Sequence, residues 1–295
     1  MKKLLVAFVA VLMICAMAIS MTACNGPALV KIIEIDLSSE QYGVAIKKGN
    51  TEMKEKVDEI LSALCGEGYE VDGKVVTFDS LYEDEMEAQE KGEVISIGEV
   101  KTSSTDRSKE LVVATNAAFA PFEYRVNANE FGGIDMQIAK ILADAMGKEL
   151  VISHMEFEVV LEAVNSDDAD IALAGLTINA ERAEVVDFSV AYYDTTQRIA
   201  VAADDTRFDD CKTEEDVVAV LKSMSGAKAG AAKNQTGYYY LYGDESFEFE
   251  GFRDILDIRP YQTVALAVQD LANGTVEVVC ADKDTLQASV KAING

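Results

Sequence analysis

Arg182 closes the stretch Ala174-Gly175-Leu176-Thr177-Ile178-Asn179-Ala180-Glu181-Arg182, which leaves an apolar, strand-like run and enters a helix capped by Asn179. On such a turn a helix N-terminus, the Thr177 hydroxyl and a guanidinium can face one anion. The plainer alternative pairs Arg182 with Glu181 or Glu184 at the surface. Asp282 follows the strand-like run from Val276 to Cys280, again at a carboxyl end, where its plain role is that of a loop or helix-capping aspartate. Asn116-Ala117-Ala118-Phe119-Ala120-Pro121-Phe122-Glu123-Tyr124 sets several aromatics in the loop after another strand, the position at which open α/β sheets bind ligands. Phe157 precedes a helix and reads either as a further aromatic wall or as core. Glu123 is the one carboxyl group near the aromatic loop that could serve as a base. Solvation at the surface or a contact between lobes is its plainer assignment.

These residues need a scaffold that brings separate strand ends together. Leu111-Val112-Val113-Ala114-Thr115 reads as a strand, and Ile134, Ile138, Ile141, Leu142 and Ala145 form a helical stripe that stops at Gly147. Strands at residues 150–152 and 170–176, with a short helix at 159–164 between them, extend this to a βαβαβ unit with parallel pairing. A second such unit begins after residues 198–202. It comprises a helix at 214–224, a strand at 227–231, a Gly/Asn/Gln/Thr turn, a helix at 264–271 and a strand at 276–280. Towards the N-terminus, residues 30–37 and 42–47 read as strands, and Asn50 caps a helix whose Met53, Val57, Ile60, Leu61 and Leu64 share a face. Residues 67–109 shift to Glu, Asp, Gly and Ser and read as a largely exposed acidic connector with one helix and a short strand near 94–100. Their charge is that of a solvated face rather than a cation site.

Composition bounds the function. The chain has 295 residues, which at ~100 to 200 per domain means about two globular units. It carries 26 Lys plus Arg against 52 Asp plus Glu, a net charge of −26, which repels a phosphate backbone and leaves no basic stripe, so no nucleic-acid partner is expected. The single histidine, His154, argues against a His-rich metal site or a Ser/His/Asp triad. No cofactor and no metal are expected. Met1-Lys2-Lys3, an apolar run to Met17 and small residues up to Cys24 have the zones of a secretory signal spanning 1–23. The cysteine at its end resembles a bacterial lipobox, which implies a diacylated Cys24 and a membrane partner through two acyl chains. Cys65, Cys211 and Cys280 are too few and too scattered for a disulfide framework; one pair among them stays open.

Residues 111–202 resemble the extracellular solute-binding proteins of amino-acid ABC importers, family 3. The resemblance is carried by residues 114–124, Gly133-Ile134-Asp135, Ala174 to Ile178 with Glu181-Arg182, Asp187-Phe188-Ser189 and Tyr192-Tyr193, in that order. It continues through residues 227–237 and 273–282. It implies a two-lobed α/β periplasmic-binding-protein fold of type II with a hinge of crossing strands, a first lobe at 110–200 and a second at 201–295. It further implies Arg182 as the clamp on an amino acid's α-carboxylate, helped by Thr177 and by backbone near Gln235 and Thr236. Asp282 and the Gly175 carbonyl would hold the α-ammonium, Phe119 and Phe157 would flank the side chain, and Asn116 would face its tip. Charge-assisted hydrogen bonds of ~1.5 to 3 kcal/mol each suit a zwitterion that leaves water. The implied partners are a polar amino acid and the membrane permease of an importer. No enzyme activity is implied, although a few relatives on this fold are dehydratases and a sensory lipoprotein would use the same site. Two features depart from the family: Lys233-Asn234-Gln235-Thr236-Gly237 replaces a Gly-Thr-Thr-Gly-like turn, and Asn116 stands where binders of basic ligands often carry an acid.

Order is the larger departure. In the family, segments like residues 30–37, Tyr42 to Asn50 and the helix at 51–64 come last; here they come first. The expectation is a circular permutation, in which 28–43 supplies a second-lobe strand, 44–66 a first-lobe strand and helix, and 67–109 joins the former ends. It stands on one condition, Val44 beside the strand at 198–201, without which the permutation falls.

Overall fold

Glu110–Thr115 is buried along its whole length, which explains why Leu-Val-Val-Ala shows no alternation: it is an interior strand covered on both faces. The computed structural model describes residues 28–295, so Cys24 and the expected signal lie outside the described residues. The first-lobe sheet runs Glu149–His154, Glu110–Thr115, Ile171–Ala172, Ala45–Lys47, Val186–Phe188. The first three strands are parallel, and Ala45–Lys47 is antiparallel to both of its neighbours. Helix Ile134–Ala145 buries Ile134, Ile138, Ile141 and Leu142 against this lobe as its spacing predicts, while Ala145, expected on the same stripe, is exposed at the helix end.

The second-lobe sheet runs Val30–Ile33, Gln197–Ala202, Val278–Asp282, Lys228–Ala232, Asp257–Tyr261. Its last strand and the helix Thr236–Tyr242 were not foreseen from periodicity: the first carries Arg259 and Pro260 in a half-exposed edge, and the second follows a turn rich in strand breakers. Gln197–Ala202 belongs to this sheet, so the chain changes lobe before residue 197 rather than at 200. The change is made by Tyr193–Thr195, which pairs antiparallel with Glu40–Tyr42 as a two-stranded ribbon between the lobes.

The early segment therefore takes part in both sheets, with Val30–Ile33 on the second lobe and Ala45–Lys47 in the first. Val44 is not beside residues 198–201. Its carbonyl accepts from the Ser189 amide at 3.0 Å and its amide donates to Ser189 Oγ at 2.9 Å. The chain has already crossed at Glu40–Tyr42, and the strand beside 198–201 is Val30–Ile33.

Residues 67–109 are more than an exposed connector. They form the hairpin Tyr69–Val71/Lys74–Val76, the helix Phe78–Lys91 and the strand Ser96–Glu99, which pairs with Glu130–Gly132. Acidic composition hid an apolar stripe of Phe78, Leu81 and Ala88 on the helix. Tyr82 from this helix and Tyr193 from the crossing ribbon both donate to the Asp284 carboxylate, at 2.9 and 2.5 Å, and Lys291 donates to the Gln89 carbonyl at 3.0 Å. The helix thus touches the ribbon and the second-lobe helix Lys283–Asn294 together. Cys65, Cys211 and Cys280 are free thiols. Among the described residues no helix is long and apolar enough to cross a membrane.

Candidate functional site

Strand ends deliver the site. Ala174 and Gly175 follow Ile171–Ala172, Thr177 and Asn179 make the turn, and the Asn179 side chain accepts from the Arg182 amide at 2.8 Å to start helix Ala180–Val185. From the second lobe, Gln235 and Thr236 begin helix Thr236–Tyr242 and Asp282 ends its strand. Phe119, Phe157, Ala174, Gly175, Thr177, Arg182, Gln235, Thr236 and Asp282 line one cavity between the lobes. Only about 10 Å³ is open within it, room for one water-sized body. The lobes are closed on each other: Thr177 Oγ1 meets Thr236 Oγ1 at 3.1 Å and Asn179 Nδ2 donates to Ser246 Oγ at 3.3 Å. Lys233 also pairs with Glu158 across the mouth.

Among the described residues, Arg182 is buried without an acidic partner. Nη1 donates to the Thr177 carbonyl at 2.8 Å and Nη2 reaches the Asn234 carbonyl at 3.5 Å. Its guanidinium lies between the Phe157 ring at 5.5 Å and the Phe247 ring at 5.7 Å, one from each lobe. Burial lowers its pKa, opposed by the charges of Glu40 and Asp282 among others. Beyond the guanidinium, a cavity of about 390 Å³ opens among Phe157, Asn234, Tyr239 and Phe247. A larger groove of about 850 Å³, between Glu181 and the Tyr238–Tyr242 face, is shallow and carries the acids Glu181, Glu184, Asp244, Glu245 and Glu250 with Arg253.

Asp282 sits at the other end. Its Oδ1 accepts from the Tyr42 hydroxyl at 2.6 Å. Burial raises its pKa, and the nearby charge of Glu40 raises it further. Gly175 has φ of +53°, and a Cβ there would meet the Phe119 ring at 2.6 Å, so glycine permits both the turn and the aromatic contact. Its amide donates to Asp135 Oδ2 at 2.9 Å.

Asn116 does not line the cavity; it is buried, and its amide donates to the Met155 carbonyl at 2.8 Å, bracing the loop. Glu123 is neither solvated nor a lobe contact. It is fully buried beside Asp135, and neither of its oxygens finds a donor among the side chains and backbone. Asp135 already accepts from Tyr192 and Gly175, so the pair is satisfied when Glu123 carries a proton and donates it to Asp135. Burial raises both pKa values, that of Asp135 to about 6, and the charge of Asp135 raises Glu123 further.

Glu40 was missed. It is 6% exposed and accepts from the Ser38 hydroxyl at 2.6 Å, Gln197 Nε2 at 3.0 Å and the Thr177 hydroxyl at 2.9 Å. Ser38-Ser39-Glu40-Gln41 looks like an exposed loop; the available signal was period two, which puts Glu40 on the same strand face as Tyr42.

Residues 111–293 match bacterial extracellular solute-binding proteins, family 3. The chain is 29% identical over 182 residues to a probable histidine-binding protein of Neisseria gonorrhoeae, covering 61% of each chain. It is 32% identical over 99 residues to a cyclohexadienyl dehydratase of Pseudomonas aeruginosa, covering 33% of this chain and 37% of that one. It therefore spans less than two thirds of either curated relative. A solved ancestral arginine-binding protein bound to arginine is similar at 27% identity and a TM-score of 0.52, over 62% of this chain and 74% of that one. With the two-lobed sheets and the shared cleft of charged and aromatic groups, the match over most of its length makes this chain a member of the bacterial extracellular solute-binding proteins, family 3.

Proposed function

We propose that the protein captures a polar amino acid outside the cytoplasm, while anchored to the membrane through Cys24, and delivers it to an ABC-type permease. The observation that carries this reading is the convergence of Arg182 and Asp282, from opposite lobes, on one cleft with Phe119 and Phe157. A guanidinium and a carboxylate held apart match the two ends of a zwitterion, and the aromatics supply apolar burial between them. Because the closed cleft has room for little more than a water, the lobes open to admit the ligand and close to hold it. Opening breaks the Thr177–Thr236 and Lys233–Glu158 contacts, and ligand bonds to both lobes replace them.

Residues 30–47 are seated in both sheets, but the circular permutation required Val44 beside residues 198–201, and Val44 lies against Ser189 instead, so that expectation fails its test. An enzymatic reading has less support, since Glu123 is turned to Asp135 behind Gly175 and does not line the cleft. A thermal-shift screen over the twenty amino acids tests the binding reading: a ligand at 100 times its dissociation constant stabilises by ~2.7 kcal/mol. No shift with any of them would refute it. Mass spectrometry of the detergent-extracted protein tests the anchor, with a diacylated Cys24 as the expected N-terminus.

A further inference from the structure

Tyr42 is fully buried and does not line the cleft, yet it touches the backs of Phe119, Gly175 and Asp282, which do. Its hydroxyl donates to Asp282 Oδ1 at 2.6 Å, its ring lies 6.5 Å from that of Phe119, and a Cβ on Gly175 would stand 3.5 Å from its Cε2. Phe122 at 5.1 Å, edge to face, and Tyr193 at 5.8 Å fix the ring. Backbone bonds fix the rest of the residue. Its carbonyl accepts from the Tyr192 amide at 3.0 Å, and it bridges Thr177. On either side of it the Gln41 carbonyl accepts from the Ile178 amide at 2.8 Å and the Gly43 amide donates to the Leu176 carbonyl at 3.0 Å. The phenol therefore reaches a second-lobe carboxyl from a ribbon strand that is stitched to the first-lobe turn carrying Gly175 and Thr177.

We propose that Tyr42 is a positioning residue for the ammonium group of the bound amino acid, acting through Asp282: its hydroxyl pins one carboxylate oxygen and supports the charged form that the ammonium needs. The inference rests on the binding reading above. A carboxylate with one oxygen engaged by an O–H donor keeps the other free for a ligand. Burial and the charge of Glu40 raise the pKa of Asp282 to about 7, and the hydrogen bond from Tyr42 opposes them. Of the other groups around this carboxyl, Glu123 with Asp135 adds negative charge from behind Gly175, Gln197 is uncharged, and burial raises the pKa of the Cys280 thiol. Arg182 is engaged by carbonyls, Lys283 lies over the Tyr193 ring at 5.4 Å, and Asp284 accepts from Tyr82 and Tyr193. Affinity for an α-amino acid then rises with pH, by up to about tenfold per unit below about 7, and levels off above it. Without the phenol O–H, Asp282 ionises at higher pH and the rise moves with it.

Calorimetric titration of the full chain in mild detergent, with L-arginine and L-glutamine as probes from about pH 5.5 to 8.5, reads this dependence. Wild-type affinity should climb and then level off. In Tyr42→Phe it should be at least about tenfold weaker near pH 6.5, with the gap narrowing towards pH 8.5. A loss equal at every pH marks a purely structural role and overturns the proposal, as does an unchanged affinity. Asp282→Asn should bind nothing measurable or bind without the climb; a climb that persists belongs to another group, such as Asp135, and overturns the proposal too. A flat wild-type profile does the same, so an unfolded Tyr42→Phe does not spare it. If neither probe binds, any amino acid that raises the melting temperature in the twenty-member screen takes their place. A flat screen would instead remove the binding reading and this inference with it.

Discussion

The two ends of the cleft treat buried charge in opposite ways. Arg182 is held by carbonyl dipoles and by the faces of two phenyl rings, partners that cannot accept or release a proton near neutrality. Asp282 accepts from a tyrosine hydroxyl, and burial and the nearby Glu40 charge raise its pKa to about 7, so its charge can be adjusted by a proton. A guanidinium is always charged and must be solvated by fixed dipoles, whereas a carboxyl can neutralise itself. The arginine end is therefore a constant feature of the site and the aspartate end a variable one.

Removing the constant end should have the largest effect. Arg182→Ala should lower amino-acid affinity at least about a hundredfold and abolish the ligand-induced thermal shift, because a buried ligand carboxylate would lose its charge-assisted partner. If the shift survives, the two ends are not a matched pair. Arg182→Lys should recover only part of the affinity, since an ammonium cannot reproduce the fork or the stacking between Phe157 and Phe247.

The variable character extends to Glu123 and Asp135. Both pKa values are raised on folding, so the folded protein binds these protons more tightly than the unfolded chain. Their stabilisation is full below about pH 4 and is lost as pH rises, for Asp135 through about 6 and for Glu123 through its own raised value. Unfolding free energies from urea titrations should fall by ~2 kcal/mol or more between pH 4 and 8 through this pair. In Glu123→Gln the amide donates permanently to Asp135, and the fall should shrink. An undiminished fall would place the titration elsewhere.

The smallest effect is expected outside the cleft. Tyr82→Phe removes one of two hydroxyls on Asp284 and should cost ~1 kcal/mol or less. If it changes ligand affinity as well as stability, the helix Phe78–Lys91 influences the closing equilibrium. If only stability moves, the helix is a passive brace.

The legible parts of the fold were those whose side chains announce their surroundings. Leu111 to Ala114 can only be interior, and the Asn179 cap, the Arg182 turn and the strand-end Asp282 were readable because cap chemistry and strand ends have local signatures. The nine residues lining the cavity include every expected contact except Asn116. Asn116 misled because a polar loop residue satisfied by a distant carbonyl looks, in sequence, like one that faces a ligand. Glu40 and Asp135 were illegible because charged residues are expected outside, and what keeps them inside includes partners 137 and 157 residues away for Glu40 and 40 residues away for Asp135; Glu123 is buried in turn beside Asp135. The helix Phe78–Lys91 was obscured by its acid-rich face although its apolar stripe was present.

The ribbon of Glu40–Tyr42 and Tyr193–Thr195 has a mechanical consequence. Two separate tethers would let the halves roll and pivot freely, but strands bonded side by side resist torsion and bend readily only across their flat face. The molecule should open like a door on a pinned edge, returning Arg182 and Asp282 to the same spacing at each closure.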